Sequence, residues 1–348
     1  MRLIVLGTGA GGGCPQWNCG CENCNFARNN PESARTTDSL AFAYEENGRT
    51  AWAIVNPGVD LRHQLARHPE LQPPIGGGVR DTPIGSVILT DGELDHTMGL
   101  INLREGSRLK VFATAAVLDL METAFPIKAV LRNYANLEFC TIVPGVPFML
   151  GDSVKVTAVG LSDRQPRYAS EHSHSSTADA VIGLKFEDKV ESSSANEVEI
   201  NGVEARCTRS PDTSAIAYAP QIGTWDKSVD SLLEGCEAVL VDGTFYTSHE
   251  LQSLGVSAGS AETMGHLPLS GPNGILAKLE NVKARIKLLT HINNTNPILR
   301  DNSTERRAVE NAGVKIAVDG MSICSGSVYA PSCSTSLSTE KVGDKLRD

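Results

Sequence analysis

Asp91, Glu93, Asp95 and His96 crowd together just after the apolar run Gly85-Ser86-Val87-Ile88-Leu89. A short run of that kind reads as a buried strand, which puts three carboxyls and an imidazole on the loop at its end. Such a cluster is either a metal site or a hydrated turn. A further histidine, His291, ends the strand-like run Ile286-Lys287-Leu288-Leu289-Thr290. Asp95, His96 and His291 would supply two imidazoles and one carboxylate. With its remaining positions open, that donor set is what a non-haem Fe(II) centre needs to admit substrate and dioxygen. The plainer reading of His291 is a hydrogen-bonded histidine at a strand end. His266, in Gly265-His266-Leu267, fits a ligand, a general acid/base or a core histidine, and is expected beside the ligands rather than among them. His63, His68 and His249 are expected on the surface, without chemistry.

The second constellation is Cys19-Gly20-Cys21-Glu22-Asn23-Cys24. Three thiolates at C-x-C-x-x-C spacing usually begin a tetrahedral zinc site, the alternative being three reduced surface cysteines. With no open position such a zinc is structural and fixes the surrounding loop. Cys14, or a residue from a distant strand end, is the fourth ligand to look for.

Other chemistries find less support. Gly7, Gly9 and Gly12 spell G-x-G-x-x-G, but Cys14-Pro15-Gln16-Trp17 follows where a dinucleotide site needs a helix to open. The glycines read instead as a sharp backbone turn past a site. Neither G-x-S-x-G nor G-x-x-x-x-G-K-[ST] occurs.

These groups need strands to position them. Arg2 to Leu6 reads as a first strand, and Ser39 to Tyr44 pairs with Ala51 to Val55 through Asn47-Gly48. Further strands are expected at Leu109 to Ala113, Val154 to Leu161, Val181 to Phe186, Ala215 to Ala219, Ala238 to Asp242 and Val314 to Val318. Helices are expected at Asp60 to His68, Ala115 to Ala124, Val229 to Glu234, Asn273 to Leu279 and Thr304 to Ala312. Pro73 to Pro83 is loop, and Ser162 to Asp179 is a polar loop carrying His172 and His174. Two sheets with helices on their outer faces fit this order, as does a single doubly wound sheet. No linker separates two domains. Residues 1–323 read as one domain with a surface insertion at 187–211, followed by a disordered tail at 324–348.

The chain has 348 residues and a formal net charge of −10, with 41% apolar and 21% charged residues. That acidity argues against a nucleic-acid surface, and no apolar run approaches the roughly 20 residues of a membrane helix. Gly12-Gly13-Cys14 resembles a lipoprotein cleavage site, but the apolar run before it spans only Leu3 to Leu6, too short for a secretory signal. Nine cysteines, odd in number and unevenly spread, do not form a secreted disulfide framework. A cytoplasmic protein is expected.

The placement of Thr90 to His96 resembles the H-x-H-x-D-H motif of the metallo-β-lactamase superfamily. Longer segments narrow the resemblance to the pyrroloquinoline quinone biosynthesis protein B (PqqB) family. They are Gly11 to Cys19, Arg80 to Gly85, Leu103 to Gly106, Val241 to Thr244, Met264 to Leu267, His291 to Pro297 and Asp319 to Ile323. The resemblance implies an α/β fold, an αββα sandwich of two mixed β-sheets flanked by helices, with metals at the strand ends. It also exposes a departure. Asp91 and Glu93 stand where the superfamily motif has histidines, and the later bridging aspartate falls near Tyr218-Ala219-Pro220. A two-metal hydrolase centre is therefore not expected.

The family resemblance implies an iron- and O2-dependent hydroxylase acting on the tyrosine-derived ring of a peptide-derived Glu-Tyr precursor, with O2 as co-substrate. Asp95, His96 and His291 would hold Fe(II). His266, Asp91 and Glu93 would bind polar groups of the substrate or relay protons. Cys19, Cys21 and Cys24 would hold a structural Zn(II), with its fourth position near Asn293 or Asn294. The partners implied are the small-molecule or short-peptide precursor and other proteins of the pathway, with no nucleic acid and no membrane insertion. The alternative is a non-catalytic carrier that helps transport the cofactor or its precursor to the periplasm.

Overall fold

Phe42 and Phe186 stack with ring centroids 4.2 Å apart, one from each of two β-sheets. The computed structural model describes residues 1–105, 108–134, 137–170, 178–188, 197–200, 203–206, 215–324 and 327–329. The first sheet has eight strands in the order Ser327–Tyr329, Ser322–Cys324, Arg2–Gly7, Ser39–Glu46, Arg49–Val55, Ile84–Ile88, Leu109–Thr114, Leu137–Ile142. The second has seven, in the order Lys315–Ile316, Ile286–Thr290, Ala238–Asp242, Ala215–Ala219, Val181–Asp188, Val154–Ser162, Phe148–Leu150. Both sheets are mixed, antiparallel at one side and parallel at the other.

The strands are near-continuous apolar runs because both of their faces are covered. Leu3 and Val5 point into the core between the sheets, while Ile4 and Leu6 point outward into a second cluster with Leu61 of the helix Leu61–Ala66. Likewise Ala238 and Leu240 face inward, and Val239 and Val241 face the helices Lys227–Leu233, Ile275–Leu279 and Thr304–Asn311. The layers therefore run helix, sheet, sheet, helix: the metallo-β-lactamase fold.

Most expected elements form within a residue or two. Asn47 and Gly48 have φ of 53° and 73°, the doubly positive turn that matches the twist of a hairpin. The differences are local. A helix forms at Glu22–Asn29 inside the cysteine stretch, with the Cys21 sulfur capping its start. His266 lies in a loop well before the helix Ile275–Leu279, which starts two residues later than expected. Within the expected insertion, Glu197–Ile200 and Val203–Arg206 pair with each other as a two-stranded sheet. At the expected tail, Cys324 closes a strand on Arg2–Gly7 and Ser327–Tyr329 pairs beside it, so the sheet runs past 323. His172 and His174 lie outside the described residues, as do 330–348. Among the described residues no helix is long and apolar enough to cross a membrane.

Candidate metal centre

Parallel strands of both sheets end at one edge, where Thr90, Asp242 and His291 leave them. Loops at the carboxyl ends of parallel strands are free to carry chemistry because no ladder uses their groups. The two sheets are tied together there: Ile182 N donates to Thr90 O at 2.9 Å. Beneath lies a buried polar chain. Tyr218 Oη and Thr290 Oγ1 both donate to Asp38, while Asn56 Nδ2 reaches Tyr218 Oη at 3.3 Å and Thr90 Oγ1 at 2.8 Å. Thr90 Oγ1 in turn donates to Asp91 at 2.7 Å.

Asp91 is almost fully buried, and both of its oxygens lie 2.8 Å from His96 Nδ1. One oxygen also accepts from Glu93 N. Asp91 thus engages both of its oxygens in orienting His96. The other His96 nitrogen, Nε2, is buried without a partner. It faces Asp95 Oδ2 at 3.9 Å, and the same oxygen lies 3.5 Å from His291 Nε2. His291 Nδ1 meets Thr244 Oγ1 at 2.9 Å, leaving Nε2 inward. Its backbone sits at φ 54°, a strained conformation for a histidine that fixes where the ring stands.

Burial opposes charge on His96, but Asp91 and Asp95 outweigh it and raise its pKa to about 10. Burial likewise opposes ionisation of Asp95, and His96 and His291 overcome it, holding the carboxyl well below its usual range. The carboxylates thus favour positive charge at this spot. A cation can take the proton's place. Asp95, His96 and His291 have donor atoms all within 4.8 Å of one another, and an orphaned buried imidazole nitrogen points among them. The fit to a metal is good.

His266 is the counterpart of His96 on the second sheet. Its Nδ1 lies 2.8 Å from Asp242 Oδ2 and its ring stacks on His291 with centroids 5.3 Å apart. Asp242, His266 and His291 form a second compact set that shares only His291 with the first. Glu93 stands at the rim, where burial first, then Asp91 and Asp95, push its carboxyl up to about 7. The loop from Gly7 passes beside the site: a side chain on Gly11 would come 3.9 Å from Asp95 Oδ2, an ordinary contact distance.

Cys19, Cys21 and Cys24 converge to within 4.8 Å. Asn294, three residues past His291, brings its side-chain nitrogen to 3.2 Å from Cys24 Sγ and 3.7 Å from Cys21 Sγ. Asn23 Nδ2 donates to the carbonyls of Asn294 and Asn296. Cys14 is buried against the same cluster. Asp38, Thr244 and the orienting role of Asp242 were not read from the sequence. Asp242 carried the one usable signal, an acid ending an apolar run as Asp91 does.

A profile described as "Beta-lactamase superfamily domain" matches residues 51–195 and 199–292. The chain is 39% identical over 325 residues to "Coenzyme PQQ synthesis protein B" of Cupriavidus necator, covering 92% of this chain and 98% of the relative. It is 38% identical to the protein of the same name from Nitrosococcus oceani, over 93% and 99% of the two chains. Among solved structures, Zn(2+)-bound PqqB from Methylobacterium extorquens superposes with a TM-score of 0.77 at 28% identity, covering 93% of this chain and all of that one. A diphosphatase of the PhnP family gives 0.59 at 18% identity, over 93% and 97%, a likeness of fold alone.

Proposed function

The chain belongs to the coenzyme PQQ synthesis protein B family of the β-lactamase superfamily, and from that premise we propose that it is a non-haem Fe(II)- and O2-dependent hydroxylase of pyrroloquinoline quinone biosynthesis. Its substrate is the tyrosine-derived ring of a peptide-derived Glu-Tyr precursor. The observation that carries this reading is the convergence of one carboxylate, Asp95, with the inward nitrogens of His96 and His291.

Asp95, His96 and His291 would hold the iron, and Cys19, Cys21 and Cys24 a structural zinc. Bound ferrous iron would supply the one-electron chemistry by which dioxygen reacts with a closed-shell phenol; carrying the ring to the quinone level, with the second oxygen atom leaving as water, balances the step without an external reductant. The protein's own groups do the rest. Asp91 fixes the His96 ring so that Nε2 carries the lone pair, and Thr244 steadies His291. Asp242 holds Nδ1 of His266, so that Nε2 is the basic atom, placed to take the phenolic proton. Glu93, with its raised pKa, exchanges protons at the rim. Asp91 and Glu93 stand where the superfamily motif has histidines, which removes that pair of imidazole ligands and favours one-metal chemistry over two-metal hydrolysis.

Anaerobic purification, ferrous reconstitution and an oxygen electrode test this. Iron and zinc together, with oxygen uptake that requires a tyrosine-derived substrate and is abolished in a folded His291→Ala variant, are the expected results. Zinc alone, tight binding of the finished quinone and no turnover would overturn the hydroxylase in favour of the carrier.

A further inference from the structure

The segment that follows strand Val154–Ser162 packs on two sides of the metal centre at once. Tyr168 Oη donates to Gly92 O at 2.6 Å, and a side chain on Gly92 would meet Pro166 and Tyr168. On the other side Arg164 Nη1 donates to Thr263 O at 2.7 Å. A Cβ built on Gly265 would lie 2.5 Å from Arg164 Cδ, and Gly265 has φ 88°, so only glycine admits the arginine there. Gly92 precedes Glu93 and Gly265 precedes His266. Arg164 therefore stands between the loop that carries the rim carboxyl and the loop that carries the second oriented histidine. It is near enough to Glu93 for its charge to act on that carboxyl.

The guanidinium is not fully used. Nη1 is spent on a carbonyl, while Nε is shielded from solvent and has no partner. Among the described residues no carboxylate closes an ion pair with it. Asp91 is committed to His96, and Asp95 lies between His96 and His291. An arginine offers five donors in a planar fork that matches a carboxylate through two parallel bonds, and a cation with an unspent donor beside an acidic cluster favours an anionic guest.

We propose that Arg164 is the residue that recognises a carboxylate of the substrate, gripping it while the ring lies toward Asp95, His96 and His291. This rests on the hydroxylase reading, whose Glu-Tyr precursor carries such carboxylates, and it adds the group that sets the orientation of the ring. It also selects for acids, since an uncharged phenol finds no partner for the fork.

The test uses the full chain loaded with ferrous iron under argon. The probes are 3-(4-hydroxyphenyl)propanoate and its amide, with binding followed by calorimetry and oxygen uptake measured separately. Wild type should bind the acid about tenfold more tightly than the amide, the scale of one charge-assisted contact. Arg164→Gln should lose that preference, and Arg164→Lys, which keeps the charge without the fork, should keep part of it. A strap that merely holds the Thr263–Gly265 loop would change iron affinity or kcat and leave the acid-to-amide ratio alone. An equal response to acid and amide in wild type, absence of binding included, or an unchanged ratio in Arg164→Gln, overturns the role of Arg164. Retained preference with no oxygen uptake would instead count against the hydroxylase and leave Arg164 as the carboxylate site.

Discussion

Both carboxylate oxygens of Asp91 lie 2.8 Å from Nδ1 of His96, and the opposite ring nitrogen is buried and unpartnered. When such a histidine gives up its second proton to a cation, its tautomer is chosen for it, with the remaining proton on the Asp91 side and the lone pair facing Asp95 and His291.

Asp91→Asn keeps the shape of the contact but gives an amide that can present its own N–H to Nδ1 and so select the wrong tautomer. Ferrous affinity should fall about 10- to 100-fold, the usual cost of losing such a partner. Competition with a chromophoric chelator measures it. An unchanged affinity would sink the orienting role.

Tyr218→Phe removes one of the two hydroxyls that Asp38 accepts from, at the bottom of the same edge. Burial already raises the Asp38 pKa, so its carboxylate depends on those donors. The loss should cost about 1.5–3 kcal/mol, the range for a hydrogen bond to a charged group. Urea unfolding of the variant and wild type reads it directly. A midpoint unchanged at the same slope would mean that Asp38 is held neutral or otherwise satisfied.

Glu93 gives a pH signature. Its carboxyl titrates at about 7 when folded against an ordinary 4.5, so the metal-free folded state holds the proton more tightly than the unfolded one. Stability from this group is intact below 4.5 and is lost as pH rises through 7, by at most about 3 kcal/mol. Glu93→Gln removes the loss. Metal-free Glu93→Gln should therefore exceed wild type in stability at pH 8 and converge with it toward pH 4.5. A gap that does not narrow on acidification would contradict the buried, raised carboxyl.

The parts of this centre that could be read from the sequence are those whose signal is local. Ile84–Ile88 and Ile286–Thr290 show as apolar runs, and Asp95, His96 and His291 show as polar groups ending them. The sandwich was implied by the resemblance, whereas periodicity left a single sheet equally open, because strands buried on both faces lose their alternation. What pairs with what was not legible. Asp242 reaches His266 across 24 positions and Asp38 reaches Thr290 across 252, separations that only the packing of loops and of one sheet on the other brings together. The helix Glu22–Asn29 was missed because cysteine and asparagine are weak helix formers, and the Cys21 cap that starts it is not a usual one. The strand Ser327–Tyr329 lay hidden in serine-rich sequence because its partner, Ser322–Cys324, supplies the order.

Cys24 links the two candidate metal sites. It lies in the helix Glu22–Asn29, and Asn294, which touches its sulfur, follows His291 by three residues. Cys24→Ser should therefore lose one equivalent of zinc and lower the melting temperature by several degrees, since a tightly bound ion stabilises by about 4 kcal/mol at a thousandfold excess over its Kd. Iron affinity should fall as well, because the Asn293–Asn296 turn then holds His291 less firmly. Metal analysis with calorimetry checks both. Full zinc in the variant would remove Cys24 from the ligand set.

His266 decides between two ways of running the site. It resembles His96 in having a carboxylate on Nδ1, which would suit a ligand. Yet its donor atoms group with Asp242 and His291 and not with Asp95 and His96, so it stands off from the carboxylate that the metal would share. Its ring stacks on that of His291. On the proposed hydroxylase reading, an imidazole there would act as the base for the ring hydroxyl. His266→Gln should keep ferrous affinity within a few-fold of wild type, while kcat for the tyrosine-derived substrate drops about 10²- to 10⁴-fold, the range for a lost general base. The residual rate should climb with pH, as more of the phenol ionises without help. Loss of iron in step with loss of turnover would make His266 a third histidine ligand and move the proton-accepting role to Glu93.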